Sequence, residues 1–178
     1  MARAFVAIGS NIDQAASVEK AVQLLNRHAA ITGLSTVYRT EGIGTPGQAH
    51  FYNCVVEIRT SLPPLDLKFR VLRQIESRLG RERTADKYAA RTIDLDLVIY
   101  DDLVLKSEDL VLPDPEISCR FFIATPLAEL APDLRLPGNG ARITDVAAAL
   151  PMNDAQPLYS YTAQLRRGLG LDKLRMTN

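Results

Sequence analysis

Tryptophan is missing from this chain, and cysteine and histidine occur only twice each. Cys54 and Cys119 lie far apart and form no C-x-x-C, and their apolar surroundings predict buried, reduced thiols. His28 and His50 are too few for a histidine-rich zinc site or a hydrolytic triad. Net charge is missing too. The 21 basic and 21 acidic residues cancel, so no overall field points to nucleic acid or a membrane surface, and neither is expected as a partner. No apolar run approaches the roughly 20 residues of a membrane helix. The opening MARAFVAIGSN is too short for a signal peptide, so a cytoplasmic location is expected. No G-x-x-x-x-G-K-[ST] occurs, which excludes a P-loop kinase. Gly42-Ile43-Gly44-Thr45-Pro46-Gly47 does fit G-x-G-x-x-G, but it joins two strand-like segments and opens no helix. The helix N-terminus that would hold a pyrophosphate is therefore lacking, and the segment reads as a mobile loop.

What is present suits a packed domain of ordinary size. The 178 residues are 47% hydrophobic and 24% charged, enough for a core and too apolar for disorder. Residues 3–9 read as a buried strand, and Asp13 as the N-cap of a helix over 14–29 with Val18, Ala21, Val22, Leu25 and Ala29 at helical spacing. A β-branched segment at 31–40 reads as a second strand and the glycine-bearing 41–50 as a loop. Residues 51–60 alternate: Tyr52, Cys54, Val56 and Ile58 on one face, Phe51, Asn53, Val55 and Glu57 on the other. Ser61, Pro63 and Pro64 open a second helix with an apolar stripe of Leu65, Val71, Leu72, Ile75 and Leu79, closed by Gly80. A polar stretch at 81–91 leads into a strand at 93–100, a hairpin arm, the turn Pro113-Asp114-Pro115 and short helical turns at 118–131 and 141–150. These predict one unit over 1–150, with 151–178 a loosely attached extension of it, and a monomer. The order β-α-β-β-α-β predicts a ferredoxin-like α+β fold with a mainly antiparallel open sheet.

The strongest chemical signal is Asp94-Leu95-Asp96 within a strand. Residues i and i+2 share a face about 7 Å apart at Cα. Two carboxylates there repel unless a cation lies between them or solvent dissipates the charge. Oxygen donors without histidine favour Mg²⁺ over zinc. Leu95, Leu97 and Ile99 are expected to fill the opposite face. Just before the strand stand Arg81, Arg83, Lys87 and Arg91, and Arg120 follows the Pro113–Pro115 turn. Paired acids for a metal beside arginines for phosphate are the components of phosphoryl transfer.

The chain resembles the 6-hydroxymethyl-7,8-dihydropterin pyrophosphokinase family. The resemblance lies in FVAIGSN at 5–11, in VYRTEGIG, FYN and VEIRT between 37 and 60, and in IESRLGRER at 75–83. It continues in RTIDLDLVIY at 91–100 and LPDPEISCRFFIATPLAELAPDL at 112–134. It implies a ferredoxin-like α/β/α sandwich, ATP as co-substrate with two Mg²⁺ ions, and attack of the pterin hydroxymethyl oxygen on the β-phosphorus with AMP leaving, in folate biosynthesis. On the same resemblance Asp94 and Asp96 hold the metals, and Arg81 and Arg91 join them in catalysis. Thr40, Ile43, Gly44, Phe51, Asn53, Tyr88 and Phe122 line the pterin pocket. Glu76, Arg81, Arg83, Arg91, Asp114 and Arg120 serve the nucleotide. Phe51 and Phe122 offer stacking faces for a flat heterocycle, and Asn53 can both donate and accept at a pterin edge.

Three segments depart from the family pattern. Tyr88-Ala89-Ala90-Arg91 stands where the family commonly has W-G-P-R, whose tryptophan closes over the pterin. Pro113-Asp114-Pro115 stands where P-H-P is common, and Glu41-Gly42 stands where prolines are frequent. Two alternatives therefore remain beside the pyrophosphokinase: a divergent paralogue acting on another pterin, and a non-catalytic module that binds pterin or nucleotide.

Overall fold

The computed structural model describes residues 1–42, 47–82, 89–153 and 155–171. β1 (Ala2–Ser10), α1 (Gln14–Asn26), β2 (Ala30–Leu34), β3 (Tyr38–Thr40) and β4 (Phe51–Thr60) come first. A helical rod follows, made of α2 (Pro64–Asp66), a π-helical stretch (Leu67–Leu72) and α3 (Arg73–Arg78). β5 (Asp94–Tyr100), the hairpin β6 (Leu105–Lys106) and β7 (Val111–Leu112), and a 3₁₀ turn (Pro115–Ser118) come next. The described chain closes with α4 (Phe121–Leu130), α5 (Ile143–Ala148), β8 (Gln156–Pro157) and α6 (Tyr159–Gly168).

The main sheet runs β5-β1-β4-β3-β8, with β2 also on β4, and its pairings are antiparallel. β4 separates β1 from β2, so β1–α1–β2 is a split crossover, as the ferredoxin-like order requires. The strands bury both faces. Ala4, Val6, Ile8, Cys54, Val56 and Ile58 pack under α1 and the rod; Phe5, Val55, Val98 and Ile99 pack under α4 and α5. The alternation read in β4 is thus an alternation between two cores.

Several expectations need correction. The strand expected at 31–40 is broken between Leu34 and Tyr38 because its backbone turns to other partners. Val55 N–H donates to Ser35 Oγ at 2.9 Å, and Val37 N–H donates to Thr162 Oγ1 at 2.9 Å. Leu158 N–H in turn donates to Val37 O at 2.8 Å. The described residues 155–171 are therefore not loosely attached. β8 pairs with β3, Thr162 and Leu165 are buried, Tyr161 lies against Tyr52, and Arg166 donates twice to Leu34 O.

Leu65 does not join the apolar stripe; it is 42% exposed, while Leu67 is fully buried. The i→i+5 turns of the π-helical stretch rotate Leu65 off the line that Val71, Leu72 and Ile75 follow. Ile99 is also displaced. Phe5 pairs with Ile99 but Val6 with Leu97, so Val98 is an extra residue. That bulge puts Val98 and Ile99 in the core under α4, leaving Leu95 and Leu97 in the other. Cys119 is exposed rather than buried, at the end of the 3₁₀ turn. Asp13 holds the N-cap position of α1 in a left-handed conformation (φ 47°, ψ 48°) and makes no side-chain cap. α1 stops at Asn26, whose Oδ1 accepts from Ile31 N–H at 3.0 Å. No helix among the described residues is long and apolar enough to cross a membrane.

Candidate active site

Strand register builds the site. Gly9 of β1 pairs with Asn53 on one side and Asp94 on the other, and Ala7 pairs with Val55 and Asp96. Residues directly opposite share a face. Each row therefore runs from β4, across a small central residue, to an aspartate on β5. The small residues leave a hollow on the sheet. A Cβ on Gly9 would lie 2.9 Å from Asn53 Oδ1, so glycine is what lets Asn53 lean over β1. The 3₁₀ turn and the start of α4 wall the hollow into a cleft of about 330 Å³.

One half of the cleft is apolar and amide-bearing. Thr40, Phe51, Asn53 and Phe122 line it, with Glu41 and Ile123 beside them. Asn53 is buried, and its Nδ2 donates to Thr40 Oγ1 at 2.8 Å. The Arg91 guanidinium lies 5.8 Å from the Phe51 ring centroid. The other half is charged, with Asp94, Asp96, Asp114, Glu116, Arg91 and Arg120 on the lining.

Behind this half stands an ion network. Arg81 Nη1 donates to Glu76 Oε1 at 2.5 Å and to Asp94 Oδ1. Arg91 Nη1 donates to Asp94 Oδ2 at 2.6 Å. Leu95 N–H donates to Glu76 Oε1 at 2.9 Å, and Arg73 lies 3.6 Å from the same carboxylate. Glu76 is only 2% exposed. Burial pushes its carboxyl up, opposed by the Leu95 N–H and the Arg81 charge. Burial likewise works against the charge on Arg81, but Asp94 and Glu76 outweigh it and the guanidinium holds its proton more tightly than usual. Asp96 is exposed at the cleft, yet the protein packed around its carboxyl and the charges of Asp94, Asp114 and Glu76 push it up from the usual carboxylate range.

Of the residues singled out in the sequence, Thr40, Phe51, Asn53, Phe122, Arg91, Asp94, Asp96, Asp114 and Arg120 line one cleft. Glu76 and Arg81 are not on its lining; they stand one layer behind and hold Asp94. Ile43, Gly44, Arg83 and Tyr88 lie outside the described residues. Asp114 Oδ1 accepts from Glu116 N–H at 2.8 Å, while Arg120 Nε lies 3.6 Å from Glu116. Sequence reasoning passed over Gly9, Glu41, Glu116 and Asn11. Asn11 is buried, accepts from Arg91 N–H at 2.7 Å and donates its own N–H to Arg91 O at 3.1 Å. Gly9 and Asn11 belong to the FVAIGSN segment, and Gly9 before a polar pair at a strand end was the available signal.

The donor set suits a hard divalent cation. Two carboxylates share a face, and the negative charges around Asp96 are a repulsion that a cation relieves. Among the described residues no group of three or more acids, histidines or cysteines is arranged to hold a metal. Such an ion would complete its coordination from phosphate oxygens and water, the usual habit of Mg²⁺.

A split βαβ sheet carrying paired acids against arginines defines a phosphate-handling α+β protein. A family model described as 7,8-dihydro-6-hydroxymethylpterin-pyrophosphokinase (HPPK) matches residues 5–132. The chain belongs to this family. It is 41% identical over 130 residues to the 2-amino-4-hydroxy-6-hydroxymethyldihydropteridine pyrophosphokinase of Bacillus subtilis, covering 71% of this chain and 77% of that one. The Pseudomonas aeruginosa protein of the same name is 33% identical over 159 residues, covering 88% and 96%. Among solved structures, a triple mutant of Plasmodium falciparum HPPK-DHPS with STZ-DHP superposes with a TM-score of 0.66 at 14% identity. That match covers 83% of this chain and 43% of the longer one, and shows the ferredoxin-like fold alone.

Proposed function

We propose that this chain transfers the pyrophosphoryl group of ATP to the hydroxymethyl oxygen of 6-hydroxymethyl-7,8-dihydropterin, in folate biosynthesis. The carrying observation is the shared cleft. Phe51, Asn53 and Phe122 face the same hollow as Asp94, Asp96, Arg91 and Arg120. A flat heterocycle held at the first group presents its hydroxymethyl arm to phosphates held at the second. The hydroxymethyl oxygen forms the new bond to the β-phosphorus, the bond from that phosphorus to the α,β-bridging oxygen breaks, AMP leaves with the electron pair, and the hydroxyl proton passes to solvent.

Phe51 and Phe122 supply stacking area, and Asn53 reads the heterocycle edge. Arg91 and Arg120 take up phosphate charge as it shifts toward the leaving group. Asp94 and Asp96 would hold two Mg²⁺ ions, which supply charge neutralisation at the phosphates when bound. Glu76 and Arg81 position Asp94 from behind. The same reading makes the chain a cytoplasmic monomer that acts on small molecules. It is tested by incubating the protein with Mg-ATP and hydroxymethyl-dihydropterin. AMP and a pterin diphosphate are expected. ADP in place of AMP would make it a simple kinase, and no nucleotide turnover would leave a binding module.

A further inference from the structure

Asp114 lines the cleft with Asp94 and Asp96 and is held rigidly there. Its backbone N–H donates to Val98 O at 2.9 Å, so it stands at the outer edge of β5, beside the residue two along from Asp96. Pro115 follows it and keeps its backbone extended (φ −61°, ψ 124°). Its Oδ1 caps the 3₁₀ turn by accepting from Glu116 N–H at 2.8 Å. The cap uses one carboxylate oxygen and, among the described residues, leaves the other without a hydrogen bond. The three aspartates also differ in how their charge is met. Asp94 is ion-paired with Arg81 and Arg91. Among the described residues no ion pair forms to Asp96 or Asp114. The charge of Asp114 is felt at Asp96, next after that of Asp94.

We infer that Asp114 is a positioning residue for a divalent cation held at Asp94 and Asp96, acting on it through water that the cation retains; the inference rests on the metal site proposed above. Direct ligation by three acids is not what the cleft offers. Among the described residues no group of three or more acids, histidines or cysteines is arranged to hold a metal. A fixed carboxylate that is near the ion without ligating it orients the ion's water and raises its affinity from outside the ligand shell. Such help favours a cation that keeps several waters in strict octahedral geometry, as Mg²⁺ does. It does less for Ca²⁺, which takes more oxygen ligands at longer and looser distances. Asp114 therefore adds selectivity as well as affinity, and does so before any nucleotide arrives.

Binding of Mn²⁺ to the whole protein without nucleotide, followed by the electron paramagnetic resonance of the free ion, tests this. Asp114→Asn removes the charge but keeps an oxygen to cap the turn, so the fold should survive. It is expected to bind Mn²⁺ about tenfold more weakly, which is ~1.4 kcal/mol. Displacing the Mn²⁺ with Mg²⁺ or with Ca²⁺ reads the selectivity. The preference for Mg²⁺ over Ca²⁺ should fall about fivefold on the substitution, ~1 kcal/mol. Mn²⁺ binding by Asp114→Asn within about twofold of the unsubstituted protein, ~0.4 kcal/mol, overturns the inference. So does an equal loss for Mg²⁺ and Ca²⁺, because a bare change of charge weakens both alike. A third refutation needs no variant: the unsubstituted protein holding Ca²⁺ as tightly as Mg²⁺. Asp96→Asn separates the two levels. If it binds Mn²⁺ as the unsubstituted protein does, the metal site is elsewhere and the underlying reading fails. If it loses Mn²⁺ while Asp114→Asn does not, the role of Asp114 alone is refuted.

Discussion

Gly9→Ala should damage pterin binding selectively, through Asn53. The added methyl carbon would lie 2.9 Å from Asn53 Oδ1 and 4.0 Å from Phe51 Cδ1. The first contact is shorter than a carbon and an oxygen tolerate, whereas the second is ordinary. Backbone strain does not enter, because Gly9 is not in the left-handed region. The whole cost therefore falls on Asn53. Its side chain is buried and its Nδ2 is committed to Thr40 Oγ1 at 2.8 Å, so rotation gives up that bond. Either the overpacking, if Asn53 stays, or the lost buried hydrogen bond, if it rotates, costs about 1–2 kcal/mol. Expressed in pterin affinity this is about 5- to 30-fold. Calorimetric titration with the pterin, and separately with a non-hydrolysable ATP analogue, measures it; nucleotide affinity should stay within about twofold, ~0.4 kcal/mol. A double-mutant cycle with Asn53→Ala gives the decisive number. Once the amide is gone, Gly9→Ala should add almost nothing, so the two losses must be far from additive. Fully additive losses, or an equal fall in nucleotide affinity, would refute the claim that Gly9 acts by making room for Asn53.

Asp94→Asn and Asp96→Asn should each remove most turnover while the melting temperature stays within a few degrees, checked by AMP release and thermal unfolding; near-normal turnover in either would remove that residue from the metal site. Thr162→Val deletes the acceptor of the buried Val37 N–H. It should cost about 2 kcal/mol, which lowers the melting temperature by about 4–8 °C in a chain of this size. A thiol reagent at pH 8 should label one cysteine rapidly in the native protein. Cys119 is exposed, whereas burial pushes the Cys54 thiol up to about 12 and leaves almost no thiolate. Labelling of both at equal rates would show that Cys54 is reached without unfolding.

The parts that the sequence reveals are those where one local rule decides. β4 alternates between two cores, so a period of two was visible even though both sets are apolar. Asp94 and Asp96 stand two apart on a strand and needed only that geometry to be paired. What stayed hidden depends on partners distant in the chain. The break at Ser35–Val37 comes from a threonine 125 residues away. The tail does carry a helical stripe of Leu158, Tyr161, Thr162, Leu165 and Leu169, but a tyrosine and a buried threonine disguise it as polar. The Val98 bulge leaves no mark because every residue around it is apolar. In the site, the residues that touch the hollow were legible by type. The supporting layer was named only through the family resemblance, as residues serving the nucleotide; that Glu76 is buried against Leu95 and Arg81 needs the packed structure.

The two-residue strand β8 has a consequence for how this protein behaves in a crowded solution. An open sheet ends in rows of unpaired peptide groups, and such rows recruit strands from other molecules. Beyond β3 the next strand is only Gln156 and Pro157, and proline has no N–H to offer. At the opposite edge, Asp114 N–H donates to Val98 O of β5 at 2.9 Å, beside the bulge. The margin beyond β3 thus ends in a proline, and at the β5 margin the carbonyl of the bulged residue is already taken. The segment that reads as an appendage is what makes one of those margins a poor template for aggregation.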